Sequence, residues 1–398
     1  MLSVQQFRLA RLKDAMNQVG ADILIAAAPE HIRYLTGWAA LGPTYHTKTQ
    51  DYAVYAPALN RFYIINPMSD APTAVDNAPQ NSDFLFYGSF RFAYPDEKSA
   101  YAKAFEQKAE ITASVTDSLI EALCRAGAKG CRVAWDEFRT PGSTWNKVAA
   151  AFPETEFIPA LSIFEQARMI KHPEEIECLR KASNIAEVSL LAALDVTRLG
   201  DSEFDIDCVY RQEVARRNAR TLFDTCTIDR RSSYSDTLCT KTQRVRDGSI
   251  IRFDYGAVYN HFCSDLARTV VVGRADPRLE AEYAAIREGV ETAVAMMRPG
   301  VLACEVFQAA QDAVQRTLPT FRRHHCGHGI GIMINDRPSI SPGDKTVLEA
   351  GMVFSIETPY YVLDEYGIQL EDMVEVTANG AQCLACTSND LIRIPART

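Results

Sequence analysis

Five side chains in this sequence have types suited to metal chemistry: Asp254, Asp265, His328, Glu357 and Glu371. Asp254 sits in a β-branched and aromatic run, 250–255, and Asp265 lies eleven residues on, ahead of a run that ends in Val270, Val271 and Val272. With Asp247-Gly248 as a turn signal before the first run, the stretch predicts a β-hairpin turning at Tyr259-Asn260. That register makes Asp254 the direct neighbour of Asp265, on one face of the sheet. Opposed like charges destabilise a sheet, so the pair calls for a cation between them. Glu357 in MVFSIE and Glu371 in IQLED stand in further apolar strands, and His328 lies in a glycine-rich GHGIG segment. Four carboxylates and one imidazole could hold two divalent ions, whose roughly four positive charges would offset the carboxylates. Water held between two such ions gives up a proton near neutral pH while the ions polarise a carbonyl oxygen, so attack of a bridging hydroxide on an amide is the chemistry this set would support.

The order Asp, Asp, His in GHGIG, Glu in SIETP and Glu in QLED resembles the pita-bread metallopeptidases: prolidase, aminopeptidase P and methionine aminopeptidase, with creatinase as a metal-free relative. FDYGAVYNHFCSDLARTV is similar to that family's hairpin. EAGMVFSIETPYY and GIQLEDMVEVT are similar to its last two ligand strands, and ARMIKHPEEIECLRKA at 167–182 resembles the start of its catalytic domain. The resemblance is close over the last three-fifths of the chain and loose before it. It implies an α+β fold: a pita-bread catalytic domain with an internal pseudo-twofold over 166–398, preceded over 1–165 by a smaller α/β domain with a mixed sheet of the creatinase/prolidase N-terminal type. It also implies that Asp254, Asp265, His328, Glu357 and Glu371 are metal ligands, one aspartate chelating a single ion and the other bridging both. Glu357 would carry a proton to the leaving nitrogen, and His324, four before His328, would be a second pocket histidine. Two divalent ions are the expected cofactors, manganese foremost and iron, cobalt or zinc as alternatives, because an oxygen-rich site with one histidine suits hard to borderline ions. The implied protein is a homodimeric hydrolase, Xaa-Pro peptidase-like, that cleaves a C–N bond in a dipeptide or small amide.

The departures from the family pattern bear on substrate more than on metal. Seven residues beyond His328, where prolidases usually have a histidine, stands Asn335, followed by Asp336. About seventeen before Asp254, where another histidine is usual, stands Thr237 or a close neighbour, and two before Glu371, where arginine is common, stands Gln369. Asn335 and Gln369, with His261 in the hairpin, are therefore the candidate substrate-binding residues. An alternative is a hydrolase or lyase acting on a non-peptide small molecule, with Asp336 or Tyr234 as the base of a lyase. A reading from another class is a catalytically inactive pita-bread binding protein.

The elements that must position these residues come from a chain of 398 residues, long enough for two domains. A net charge of -9 and the lack of a basic block argue against a nucleic-acid partner. No apolar run is long enough to span a bilayer, and the first residues lack a signal-peptide core, so no membrane partner and a cytoplasmic location are expected. The eleven cysteines are scattered and odd in number, which favours reduced thiols, the lone Cys383-x-x-Cys386 included. Residues 3–19 have helical spacing and ADILIAAA follows as a strand; HIRYLTGW, YAVYAP, RFYIINP and FLFYG read as further strands. AYAKAFEQKAEITASVTDSLIEALCRAG reads as helix. Tyr34, Trp38, His46 and Arg91 are weighed as pocket residues against ordinary core or surface, and the ordinary role is preferred. Pro173 with Glu174 and Glu175 marks a helix start. An echo follows at an offset of one hundred residues, Arg198-x-Gly200 against Arg298-x-Gly300 and Asp205 against Glu305, which agrees with two related halves.

Overall fold

The computed structural model describes residues 2–42, 48–385 and 388–398; His46 and Cys386 lie outside them. The chain forms two units, Met1–Arg168 and Met169–Thr398.

The first unit is built on a seven-stranded sheet of β1 (Ile23–Ala26), β2 (Tyr52–Ala56), β3 (Arg61–Pro67), β4 (Ser82–Tyr87), β5 (Glu110–Thr112), β6 (Arg132–Trp135) and β7 (Glu156–Pro159), ordered β5-β4-β3-β2-β1-β6-β7. It is mixed: β2 runs antiparallel to both neighbours, and the other four pairings are parallel. Helix α1 (Val4–Val19) precedes it, and α2 (Val115–Ala126) lays Leu119, Ala122, Leu123 and Ala126 on the sheet, the three-to-four spacing of a core-facing stripe. Two sequence expectations fail here. The segment read as a strand at HIRYLTGW is helix Pro29–Thr36, with Pro29 at its first position and Gly37 (φ +79°) closing its end through an N–H bond to the Arg33 carbonyl. Helix signals at both ends outweigh a short aromatic run. The long helix expected from AYAKAF onward is interrupted by β5, between Ala100–Lys108 and α2. Tyr34 and Trp38 are core residues and Arg91 is exposed.

In the second unit α3 (Pro173–Val196) starts where expected, capped by His172 with Glu175 reciprocating, and α4 (Glu203–Arg216) follows. Next come β8 (Arg220–Ile228), β9 (Ile250–Tyr259), β10 (Phe262–Cys263) and β11 (Leu266–Val272). The second half repeats the plan with α5 (Pro277–Met296), α6 (Ala303–Gln315), β12 (Gly327–Gly329), β13 (Asp336–Ser339), β14 (Val353–Glu357), β15 (Tyr360–Val362), β16 (Tyr366–Ile368), β17 (Glu371–Thr377), β18 (Gly380–Cys383) and β19 (Ile392–Ile394). The main sheet runs β10-β9-β11-β17-β14-β12-β13, with β8 on β9, β18 on β17 and β19 on β11. Leu190, Leu194, Ile206 and Tyr210 pack on the first half of the sheet, and Ile286, Val290, Val306 and Phe307 on the second.

The halves echo one another in backbone detail. Gly200 and Gly300 share φ +92°, and their N–H groups bond the carbonyls of Val245 and Leu348. Asp205 and Glu305 each accept from the backbone N–H three residues earlier, at Ser202 and Leu302. This is the pita-bread architecture with its internal pseudo-twofold. Among the described residues no helix is long and apolar enough to cross a membrane.

Candidate metal centre

The hairpin turns one residue later than the sequence suggests. Phe262 pairs with Tyr259, so the turn is Asn260-His261, and both residues adopt positive φ (+47° and +71°). Two left-handed residues match the twist of the flanking strands, which Tyr259 could not supply cheaply. Ala267 is consequently the partner of Asp254, and Asp265 lies diagonal to it. Because side chains alternate with period two, this shift leaves both carboxylates on the same face.

The remaining ligand candidates join that face through the sheet. Ala267 also pairs with Glu371, and Glu371 pairs directly with Glu357. His328 on β12 faces Ser355 of β14, and its Nε2 is 3.4 Å from Asp265 Oδ2. Its Nδ1–H donates to the Gly329 carbonyl at 3.1 Å, so Nε2 keeps its lone pair towards the cluster. Glycine is required beside it: Gly327 has φ +139°, and a Cβ there would collide with the Ser355 carbonyl. Ligand atoms of Asp265, His328 and Glu371 lie within 4.8 Å of one another.

Asp265, Glu357 and Glu371 are buried, and Asp254 is partly so. At an effective dielectric of 20, two unit charges about 5 Å apart repel by roughly 3 kcal/mol, several times an ordinary net hydrogen bond. The strain shows in the acid strengths. Burial and the Asp265 charge push Asp254 up to about 7, burial raises Glu357, and burial with the other three carboxylates holds Glu371 well above its usual range. Burial alone would lower His328, yet Asp265 keeps it raised. Two guanidiniums stand nearby, Arg252 Nη1 at 3.4 Å from Asp254 and Arg323 Nη2 at 3.5 Å from Glu357. They leave four carboxylates short of compensation, and an oxygen-rich donor set with one imidazole fits divalent cations.

The cluster opens on a cavity of about 990 Å³ whose walls include Thr237, Leu238, Arg323, His324, Asn335, Tyr361 and Gln369. Asn335, Gln369 and His324 thus sit with the five ligand candidates. His261 does not; it is exposed at the hairpin turn, away from the lining. Asp336 is buried in β13, and Tyr234 turns its carbonyl to Arg252; neither residue is among those that line the cavity.

Residues 177–378 match metallopeptidase family M24, and residues 8–170 match the Creatinase/Prolidase N-terminal domain. The chain belongs to metallopeptidase family M24. An Xaa-Pro dipeptidase of Pyrococcus furiosus is 32% identical over 239 residues, 60% of this chain and 69% of that one. The uncharacterized peptidase YqhT of Bacillus subtilis is 24% identical over 390 residues, 97% of this chain and 99% of its own. Among solved structures, dipeptidase PepE from Mycobacterium ulcerans superposes with a TM-score of 0.82 at 23% identity, covering 98% of each chain. The Xaa-Pro dipeptidase from Bacillus anthracis does so at 0.81 and 21%, covering 98% of this chain and all of that one. As an M24 member the chain is a metal-dependent hydrolase.

Three residues of this M24 site escape a reading by family spacing. His325 Nδ1 is 3.3 Å from Glu357 Oε1 and also accepts from the Gly327 N–H; burial, with His324 and Arg323 alongside, lowers it to about 4, so its ring is neutral at neutral pH. Arg323 is the second. Arg252 is the third, and strand alternation alone could have found it, since it lies two residues before Asp254.

Proposed function

We propose that this M24 hydrolase is a dipeptidase that cleaves the C–N bond of an Xaa-Pro-type dipeptide bearing a free carboxylate. The observation that carries this reading is the meeting of Asp254, Asp265, His328, Glu357 and Glu371 beneath a cavity of about 990 Å³, a volume suited to a small molecule. The name carried by the Pyrococcus furiosus relative points the same way. Two divalent ions, manganese foremost, would be held by these five residues in a cytoplasmic homodimer. Such ions supply an acidic water and a Lewis acid for the scissile carbonyl.

The chain's own groups do the rest. His328 presents Nε2 because Gly329 holds Nδ1. Glu357 Oε1, turned towards Arg323 and His325, holds the proton destined for the leaving nitrogen. Arg323 and Asn335 both line the cavity; the guanidinium takes the substrate carboxylate and the Asn335 amide supplies a further donor. His324 also lines the cavity and orients the substrate.

The test is to supply manganese to the purified metal-free protein and to compare Gly-Pro and Ala-Pro with their C-terminal amides and with small non-peptide amides. Metal-dependent cleavage that prefers the free acids is expected. Arg323→Ala should raise KM for the acids by about tenfold or more and leave the amides little changed. Cleavage of acid and amide at equal efficiency, or none of any dipeptide by metal-loaded protein, would contradict the reading.

A further inference from the structure

Arg252 pairs with Thr269 in the β9–β11 ladder. Thr269 Oγ1 donates to the Gln369 carbonyl at 2.9 Å and accepts from the Gln369 N–H at 2.8 Å. Arg252, Thr269 and Gln369 therefore form a row across β9, β11 and the segment that joins β16 to β17, two residues along from the row of Asp254, Ala267 and Glu371. A guanidinium at either end of this row faces the same carboxylates. Gln369 stands two residues before Glu371, and Arg252 stands across the row from it.

Arg252 is fully buried and its donors are engaged. Nε donates to the Ser232 carbonyl at 3.0 Å, Nη2 to the carbonyls of Tyr234 at 2.6 Å and Ser235 at 2.9 Å, and Nη1 to Gln369 Oε1 at 2.8 Å and, at 3.4 Å, to Asp254 Oδ2. A guanidinium has no acceptor, so it can face only the oxygen of the Gln369 amide. The amide nitrogen is thereby turned to the ligand carboxylates: 3.2 Å from Asp254 Oδ2, 3.3 Å from Glu357 Oε2 and 3.1 Å from Glu371 Oε2. The Tyr361 hydroxyl donates to the same oxygen at 3.4 Å, and the carboxylates, acceptors only, draw the nitrogen to their side; the arginine is the charged, buried donor that completes this orientation. The same guanidinium grips residues 232, 234 and 235, and Ser235 begins the cavity wall that continues through Asp236, Thr237 and Leu238.

We propose that Arg252 is a positioning residue of the metal centre, acting mainly through Gln369 and by a longer contact to Asp254: it holds the amide so that three ligand carboxylates and one wall of the cavity form a single hydrogen-bonded unit. The inference rests on the metal-centre reading of the site, not on the identity of the substrate. Its test is calorimetric titration of manganese into the metal-free full chain, together with thermal melting, for the wild type, Arg252→Gln, Gln369→Arg and the exchange R252Q/Q369R.

Loss of a partner that orients a ligand typically weakens metal binding 10- to 100-fold, roughly the drop expected for Arg252→Gln. Gln369→Arg sets two guanidiniums against each other and should bind at least about tenfold more weakly. The exchange should return affinity to within about threefold of wild type, while its melting temperature stays low because the carbonyls of 232, 234 and 235 lack their donor. A purely structural arginine would lower melting without that recovery. Wild-type affinity in Arg252→Gln, or an exchange variant no tighter than Gln369→Arg, overturns the proposal; if Arg252→Gln does not fold, the comparison of the exchange with Gln369→Arg decides alone. A wild-type protein that binds no manganese sinks the metal-centre reading and this inference with it. Failure to cleave dipeptides would leave the titration standing.

Discussion

Asp51 and the carboxylates around Asp254 are two ways of burying acid. The cluster can be offset by cations. Asp51, in the first unit, is 2% exposed and neither of its oxygens has a hydrogen-bond partner among the described residues. Burial, helped by Asp70, pushes it up to about 8. A carboxyl whose folded pKa is raised favours the fold fully below its unfolded value of about 4, and that contribution is lost as pH rises through about 8. Wild-type stability, measured by urea denaturation from pH 5 to pH 9, should therefore fall relative to Asp51→Asn, whose amide does not titrate. Parallel curves for the two proteins would refute the assignment. Side chains of this kind are hard to foresee, because burial is not written in residue type: Arg323 looks like a surface arginine in the sequence, and only the fold places it against Glu357.

Among elements, the hairpin and the two glutamate strands matter most. The sequence reading misplaced the turn by one residue and the cross-strand partner of Asp254 by two, yet the shared face survived because an even shift preserves the side of the sheet. The meeting of β14 and β17 at Glu357 and Glu371 was legible only through family order, since long-range pairing leaves no local signal. The helix at Pro29–Thr36 was missed because aromatic content was weighted above the proline and glycine at its ends. His261 drew attention by type, whereas its place at a left-handed turn removes it from the cavity. The glycine at 327 allows β12 to approach β14 closely, so Gly327→Ala should cost on the order of 3 kcal/mol and displace His328. Thermal denaturation and manganese affinity should fall together; a variant with unchanged affinity would show that the close approach is dispensable.

For the whole molecule, all five ligand candidates fall in Met169–Thr398, three of them in its second half, so ion binding ties together strands from both halves of the pseudo-twofold. Binding only to the folded state stabilises it by about 4 kcal/mol at a thousandfold excess over Kd. Hydrogen exchange should therefore slow on adding manganese in β9, β11, β12, β14 and β17, and change little in the seven-stranded sheet of the first unit. Protection spread evenly over both sheets would point to binding elsewhere.

The most direct measurement is anomalous X-ray scattering at the manganese edge from crystals of the manganese-loaded protein. Two strong peaks are expected, bounded by Asp254, Asp265, His328, Glu357 and Glu371 and each within about 2.0–2.6 Å of carboxylate oxygens from at least two of them. Peaks remote from these residues, or none in protein saturated with the metal, would contradict the account.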